Sequence, residues 1–295
     1  MTINSLDHLM RKTTDGSIHS VDWQFTTNRA CVAGRWNCAG ALNTAPGAVN
    51  TYPATNGALT WVDCNSSSEI AIPAGPSIDE ASGFTRHLIY GSAMTAVSTG
   101  VPGILMLVDL QGYWPGISTN TLSEQVLSGT PTLRYPNGEG LKLYPVVTTV
   151  TSAGTPNIGL SYTNQAGTSG RTLSQTTLTA IASAAVGTLY HSQASAASGA
   201  GPFLPLQNGD TGVQNVYSVT FGTATATGAI ALCLAKPLIT IPLVTISNTV
   251  ERDFVNQLPS LPRIYNNSCL VWLHYSHAAT AINSNFYGSL ETVWG

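Results

Sequence analysis

The chain has 295 residues, a mass of 30.8 kDa and a formal net charge of −3, from 11 basic and 14 acidic side chains. Only 8% of its residues are charged, against roughly 25% in an average domain, while 43% are hydrophobic, which supports a sizeable core and argues against global disorder. Eleven scattered Lys and Arg do not favour nucleic-acid binding by phosphate neutralisation, and no apolar run approaches the roughly 20 residues of a membrane span.

In chain order, residues 5–12 predict the one clear helix. Asn4 or Ser5 caps it, and Leu6, Leu9 and Met10 share a face. After Asp15-Gly16, the near-alternation of Ile18, Val21, Trp23 and Phe25 predicts a strand over Ser17–Thr26. Residues 39–60 are rich in Gly, Ala, Pro, Asn and Thr and read as a long irregular connection. Beyond Thr85, short β-rich stretches follow: His87–Tyr90, Gly103–Leu110, Lys142–Val150, Ile158–Tyr162, Val216–Phe221, Ala229–Leu234, Cys269–Tyr275 and Leu290–Trp294. The stretch 151–157 between Leu141–Val150 and Ile158–Tyr162 reads as a hairpin loop, and Asn137-Gly138 and Asn208-Gly209 as turns. Leu178–Tyr190 is ambiguous between helix and strand, Ser192–Pro202 reads as a flexible loop, and Val250–Leu258 as one or two helical turns ended by Pro259.

Many short strands without a repeat of fixed period predict an all-β chain. It is β-sandwich or jelly-roll-like, with long irregular connections and a short N-terminal helix. A boundary near Pro73–Pro76 divides an extended or small β region (1–80) from a main β-sandwich domain (81–295). The N-terminus lacks the basic-then-apolar order of a secretory leader, so synthesis in a cytoplasm is expected.

No spacing assembles a catalytic or cofactor site. Cys31, Cys38 and Cys64 with His87 could ligate zinc, but six residues separate the first pair where closed sites use two to four. Cys31, Cys38, Cys64, Cys233 and Cys269 are therefore expected as buried thiols, with a Cys31–Cys38 disulfide as a lesser reading. His274 and His277 would face opposite sides of a strand, one buried and one exposed. The Gly pairs at 167/170 and 199/201 lack a phosphate-loop context. Asp109, Glu124, Glu139 and Asp210 show no glycosidase pairing. Asp109, within an apolar run, needs hydrogen bonds or a cation, and a structural partner is expected. Tyr113-Trp114 and Trp272–Tyr275 could form a sugar platform, although strand aromatics more often serve cores or subunit interfaces.

Three segments carry a resemblance: Gly100-Val-Pro-Gly-Ile-Leu-Met-Leu-Val-Asp-Leu110, Leu160-Ser-Tyr-Thr-Asn-Gln-Ala-Gly-Thr-Ser-Gly-Arg-Thr172, and Glu251 to Arg263 with the ending Gly288 to Gly295. Over roughly residues 85–295 the chain resembles virion structural proteins of tailed bacteriophages. That resemblance implies a particle component and brings no catalytic residues.

Composition agrees in class. With 65 Ser and Thr and few charges, the exterior is expected to be partly covered by partners. The expected role is non-enzymatic: a capsid decoration, cement or minor capsid protein. It would bind the major capsid protein as a homo-oligomer, taken as a trimer, in the virion, without cofactor, metal, nucleic acid or membrane. Tyr113, Trp114, Arg171, Arg252 and Arg263 are the expected interface residues. The extended segments 39–60 and 192–202 would act as arms over neighbouring subunits. The alternatives are a tail or head-fibre component binding a host-surface glycan and, behind it, a hydrolytic enzyme.

Overall fold

The computed structural model describes residues 5–26, 31, 33–38, 59–68, 71–72, 75–98, 101–150, 156–179, 186–189, 191–192, 201–279 and 284–295. Most of the expected connection 39–60, most of the expected loop 192–202 and the middle of Leu178–Tyr190 lie outside the described residues.

The helix α1 (Leu6–Thr14) forms where expected. Ser5 caps it by accepting from the His8 N–H at 3.1 Å, and Gly16 follows its end at φ +75°. Two helical faces result instead of one. Leu9 is buried, while Leu6 and Met10 are 62% and 59% exposed. The strands are β1 (Ile18–Thr26), β2 (Arg35–Cys38), β3 (Val62–Asp63), β4 (Arg86–Thr95), β5 (Gly103–Ser118), β6 (Gln125–Val126), β7 (Lys142–Thr149) and β8 (Asn157–Asn164). They continue with β9 (Arg171–Thr179), β10 (His191–Ser192), β11 (Val213–Phe221), β12 (Ala229–Leu243), β13 (Val250–Asp253), β14 (Arg263–Ile264), β15 (Leu270–Ser276) and β16 (Asn285–Trp294). A single helical turn, α2 (Phe254–Gln257), follows β13 and is capped by the Asp253 carboxylate.

The fold is all-β, as expected, and its strands pair antiparallel in three sheets. The six-stranded central sheet runs β2-β15-β5-β12-β7, with β3 also on β5. One five-stranded sheet runs β1-β16-β4-β13 with β14 on β4; the other runs β10-β9-β8-β11-β6. The expected boundary near residue 80 crosses two of these sheets rather than separating domains. β1 pairs with β16, β2 with β15 and β3 with β5, so the first 80 residues supply strands to both. The expected hairpin between 141–150 and 158–162 does not form. β7 pairs with β12 in the central sheet, whereas β8 pairs with β9 and β11 in another.

β5 and β12 run far past the ends expected at Leu110 and Leu234, because bulges absorb their breakers. In the β5–β12 register Leu110 faces Ala235 and Gly112 faces Leu234, leaving Gln111 as the extra residue. Pro115-Gly116 forms a second irregularity, with Gly116 at φ +75°. On β12, Leu238 is the extra residue after Pro237.

Each bulge reverses the side-chain alternation and so keeps one face apolar along the whole strand. At one end of that face Leu105, Leu107, Ile239 and Ile241 pack with Trp23, Leu88, Phe286 and Leu290 of the β1-β16-β4 sheet. At the other end Trp114, Ile117, Leu232 and Leu234 pack with Ile158, Tyr162, Val216 and Phe221 of the β8–β11 sheet. The opposite face carries Val108, Leu110, Tyr144, Val146, Cys233 and Val271. Two sandwiches thus share one central sheet.

His274 of β15 lies in the first core, 4.6 Å from the Phe286 ring centroid, with neither ring nitrogen hydrogen-bonded. It is buried and His277 is exposed, as expected, although His277 lies one residue past the end of β15 and owes its exposure to the bend there. Burial lowers the His274 pKa to about 3. The unfolded chain therefore takes up a proton below about pH 6.5 that the folded chain refuses until about 3, so stability falls as pH drops through that window. At pH 4.5 this residue is expected to cost about 3 kcal/mol relative to neutral pH. Urea unfolding against pH should show that slope in the parent and a flatter one in His274→Phe. Parallel curves would contradict the assignment.

Candidate functional site

The first cluster with the residue types of an active centre surrounds Asp109. Strand alternation puts Asp109 on the face of Leu105 and Leu107, between that core and the core of Trp114. Its side chain is fully buried, and Arg134 forks onto it, Nη2 to Oδ1 at 2.7 Å and Nε to Oδ2 at 3.2 Å. Ser268 Oγ (2.8 Å) and Tyr135 Oη (3.1 Å) donate to Oδ2, and the Cys269 N–H (3.0 Å) donates to Oδ1. Arg134 also donates to the carbonyls of Cys64, at 2.7 Å, and Leu110. The Gln111 amide at the bulge accepts from the Arg134 N–H at 3.0 Å.

This cluster joins strand ends. β3 and β15 lie on the same edge of β5, so Cys64 and Cys269 occupy consecutive places beside Gln111 and Leu110. Asp109 holds one strand end and Arg134 the other. The hydroxyl of Tyr135 is pushed well above its ordinary pKa by burial and by the neighbouring carboxylate. The Cys269 thiol is raised by its hydrogen bond with Cys64 and by burial. Both groups are thereby held neutral, and the carboxylate has five donors. A closed, saturated cluster of this kind positions backbone and leaves no reactive group for a substrate. The structural partner expected for Asp109 is Arg134.

The second cluster surrounds Asp210, whose side chain is 2% exposed. Tyr162 Oη (2.6 Å), Asn164 Nδ2 (2.7 Å), Arg171 Nε (2.9 Å) and Arg171 Nη2 (3.0 Å) donate to it. Burial alone would raise its pKa, and the bonds from Arg171, Tyr162 and Asn164 outweigh burial, holding it down to about 2. The cluster ties the Asn208-Gly209 turn to β8 and β9.

The expected interface residues therefore separate. Trp114 is fully buried against Trp61 at 4.4 Å between ring centroids, and Tyr113 is buried on the opposite face, so both are core residues rather than contacts. The bulge at Gln111 is the reason, because it turns Trp114 into the sandwich. Arg171 is bound to Asp210. Arg263 stacks on Tyr265 at 4.3 Å. Arg252 donates to Gln257 Oε1 at 2.5 Å and remains half-buried at the surface. The proposed sugar platform is likewise internal at Tyr113, Trp114 and Trp272. Asp109 and Asp210 belong to separate arginine clusters, and Glu124 and Glu139 are exposed. Gly167 and Gly170 lie in the β8–β9 turn.

All five cysteines are buried thiols. Cys38, Cys64, Cys233 and Cys269 share one apolar cluster, whereas His87 lies in another sheet beside Arg263 and Val293. Among the described residues no group of three or more His, Cys, Asp or Glu side chains is arranged to hold a metal ion, and no helix is long and apolar enough to cross a membrane.

Arg252 marks a surface feature that the sequence reading missed. It lines an open groove of about 200 Å³ with Met106, Leu238, Phe254 and Leu258. Leu258 also lines an adjoining groove of about 260 Å³ with Leu6, Leu9, Val255 and Leu261. Ser5 and Ser260 also line the second groove, so its wall is mixed rather than apolar, and beside it Leu6 and Met10, four residues apart on α1, are exposed. The i, i+4 spacing was visible in sequence, but the outward direction was not. Comparison of the chain with family models, curated proteins and solved structures gave no match.

Removing one member of the buried pair strands the other. Asp109→Ala is expected to cost about 3–5 kcal/mol, while Asp109→Leu combined with Arg134→Met recovers most of that loss. Chemical denaturation of both variants measures this. A cost below about 1 kcal/mol for the single change would refute the structural role.

Proposed function

We propose that this chain is a structural component of a tailed-bacteriophage particle, of the capsid decoration, cement or minor capsid type. The observation that supports this reading best is the exposed pair Leu6 and Met10 on α1, beside two grooves that share Leu258, on a chain with 8% charged residues. Apolar side chains exposed together are an ordinary mark of a docking face, and scarce charge weakens repulsion between copies. The mechanism is burial of surface against the major capsid protein and sister copies. The working stoichiometry is a trimer in the virion, and many weak contacts on a lattice sum to firm retention. Cofactors, nucleic acid and membranes play no part in this mechanism.

The saturated Asp109 and Asp210 clusters support the same reading. Both carboxylates spend their oxygens on donors that hold strands and turns. The aromatic side chains that would have favoured glycan binding lie in cores, which leaves the docking reading ahead.

Co-sedimentation with heads assembled without this chain tests the proposal. The parent should pellet with the heads. Leu6→Asp with Met10→Asp should weaken binding at least about tenfold while shifting stability by no more than about 1 kcal/mol, because both side chains are exposed. A parent that stays in the supernatant, or a variant that binds as the parent does, would count against it.

A further inference from the structure

One sheet runs β1-β16-β4-β13, which makes β1 an edge strand. Just before it, the Ser17 carbonyl accepts from the Trp294 N–H at 3.1 Å, so these two residues are a hydrogen-bonded pair and fix the phase of the ladder. His19, Val21, Trp23 and Phe25 accordingly turn their backbone groups toward β16. Ile18, Ser20, Asp22, Gln24 and Thr26 turn theirs away, and among the described residues no second strand pairs with β1. A row of alternate N–H and C=O groups is thus left open over nine residues. Ser20, Asp22 and Gln24 in that row are exposed.

Other free stretches in the fold are blunted. The part of β12 beyond its pairing with β7 carries Pro237 and Pro242, and β9 and β11 are bulged where they pair with β8. β13 is four residues long, and β6 and β10 are two each. In the central sheet, backbone at 187–189 bonds to β2 on one side and to β7 on the other. β1 has no Gly or Pro, and its register on β16 is unbroken.

Charge selects the occupant. Asp22 stands at the middle of the open row and makes no ion pair among the described residues. Two copies joined antiparallel through all five outward positions would set Asp22 against Asp22, and like charges directly opposite are destabilising. A basic residue opposite Asp22 is favourable. On the other face Trp23 and Phe25 are buried, and apolar side chains beside them would extend that core.

We propose that β1 takes up an extended segment of another protein as an added strand, one whose polar and apolar residues alternate and which sets a Lys or Arg against Asp22. Main-chain hydrogen bonds supply affinity, and Asp22 supplies choice of partner. β1 and β13 are opposite ends of their sheet, so this edge is distinct from the Arg252 groove and does not rest on the particle role.

The probe is an acetylated and amidated nine-residue peptide of alternating Thr and Val with Lys in place of the central Thr, beside the same peptide with Glu there. Calorimetric titration into the full chain should show the Lys peptide binding at least about fivefold tighter than the Glu peptide. Asp22→Lys, at an exposed position, should reverse that order. Amide exchange at Ser20, Asp22 and Gln24 should slow when the Lys peptide is bound. Ser20→Pro with Gln24→Pro should abolish binding and keep the fold, because a proline is accepted where an edge N–H faces outward. Should the proline variant fail to fold, Asp22→Lys with the two peptides decides. No binding by either peptide at millimolar concentration, equal affinities in the parent, binding that survives the prolines, or a parent dimer that the prolines dissolve would each overturn the proposal.

Discussion

A buried carboxylate standing between two hydrophobic cores is the constraint on which the rest of this structure depends. The central sheet packs one end of a single face on the β1-β16-β4 sheet and the other end on the β8–β11 sheet. Asp109 lies where one core gives way to the other, and Arg134, Tyr135, Ser268 and Cys269 close around it. Removing either Asp109 or Arg134 would strand the other's charge in low dielectric, while Tyr135, Ser268 and the Cys269 N–H fill the carboxylate's remaining acceptor sites. The completed cluster aligns β3 and β15 end to end on β5 and fixes the bulge at Gln111. That bulge sends Trp114 into the second core. The ion pair is weak evidence for net stability, since apolar replacements can match such pairs. What it does contact is the backbone at two strand ends, the Cys269 N–H through Asp109 and the Cys64 carbonyl through Arg134.

The strands were legible in the sequence where apolar and polar residues alternated, as in Ser17–Thr26, or where a short β-rich run stood between turn residues, as in Cys269–Tyr275. They became illegible where bulges intervened. The expected ends at Leu110 and Leu234 fall just before Gln111-Gly112 and Lys236-Pro237, with Pro115-Gly116 further on, because a glycine or proline in a ladder normally ends it. Here β5 and β12 accept these residues as paired irregularities and continue across both sandwiches. Pairing between distant strands was equally hidden. A Gly-Pro-Asn stretch looks the same whether it closes a hairpin or, as between β7 and β8, separates strands of two sheets.

The polar clusters were half legible. A lone acid inside Ile-Leu-Met-Leu-Val-Asp-Leu demands a partner, and that demand is visible in one dimension. The identity of the partner is not, because Arg134 and Ser268 reach Asp109 from 25 and 159 residues away. Choosing arginines for their scarcity found Arg252 beside the surface groove, but passed over Arg134 and Arg86, the two that the fold buries. Exposure is a property of packing. No local pattern distinguishes Trp114, which is core, from an aromatic residue waiting for a partner.

The role proposed above has this double sandwich present Leu6 and Met10 of α1, with Leu258 after α2, to a shell of other subunits. Single-particle imaging of the intact virion addresses that claim most directly. The account predicts this fold repeated with the symmetry of the head lattice, with Leu6, Met10 and Leu258 covered by neighbouring protein. Shell density that lacks the fold, or a fold whose α1–α2 face stands open to solvent on every copy, would contradict it.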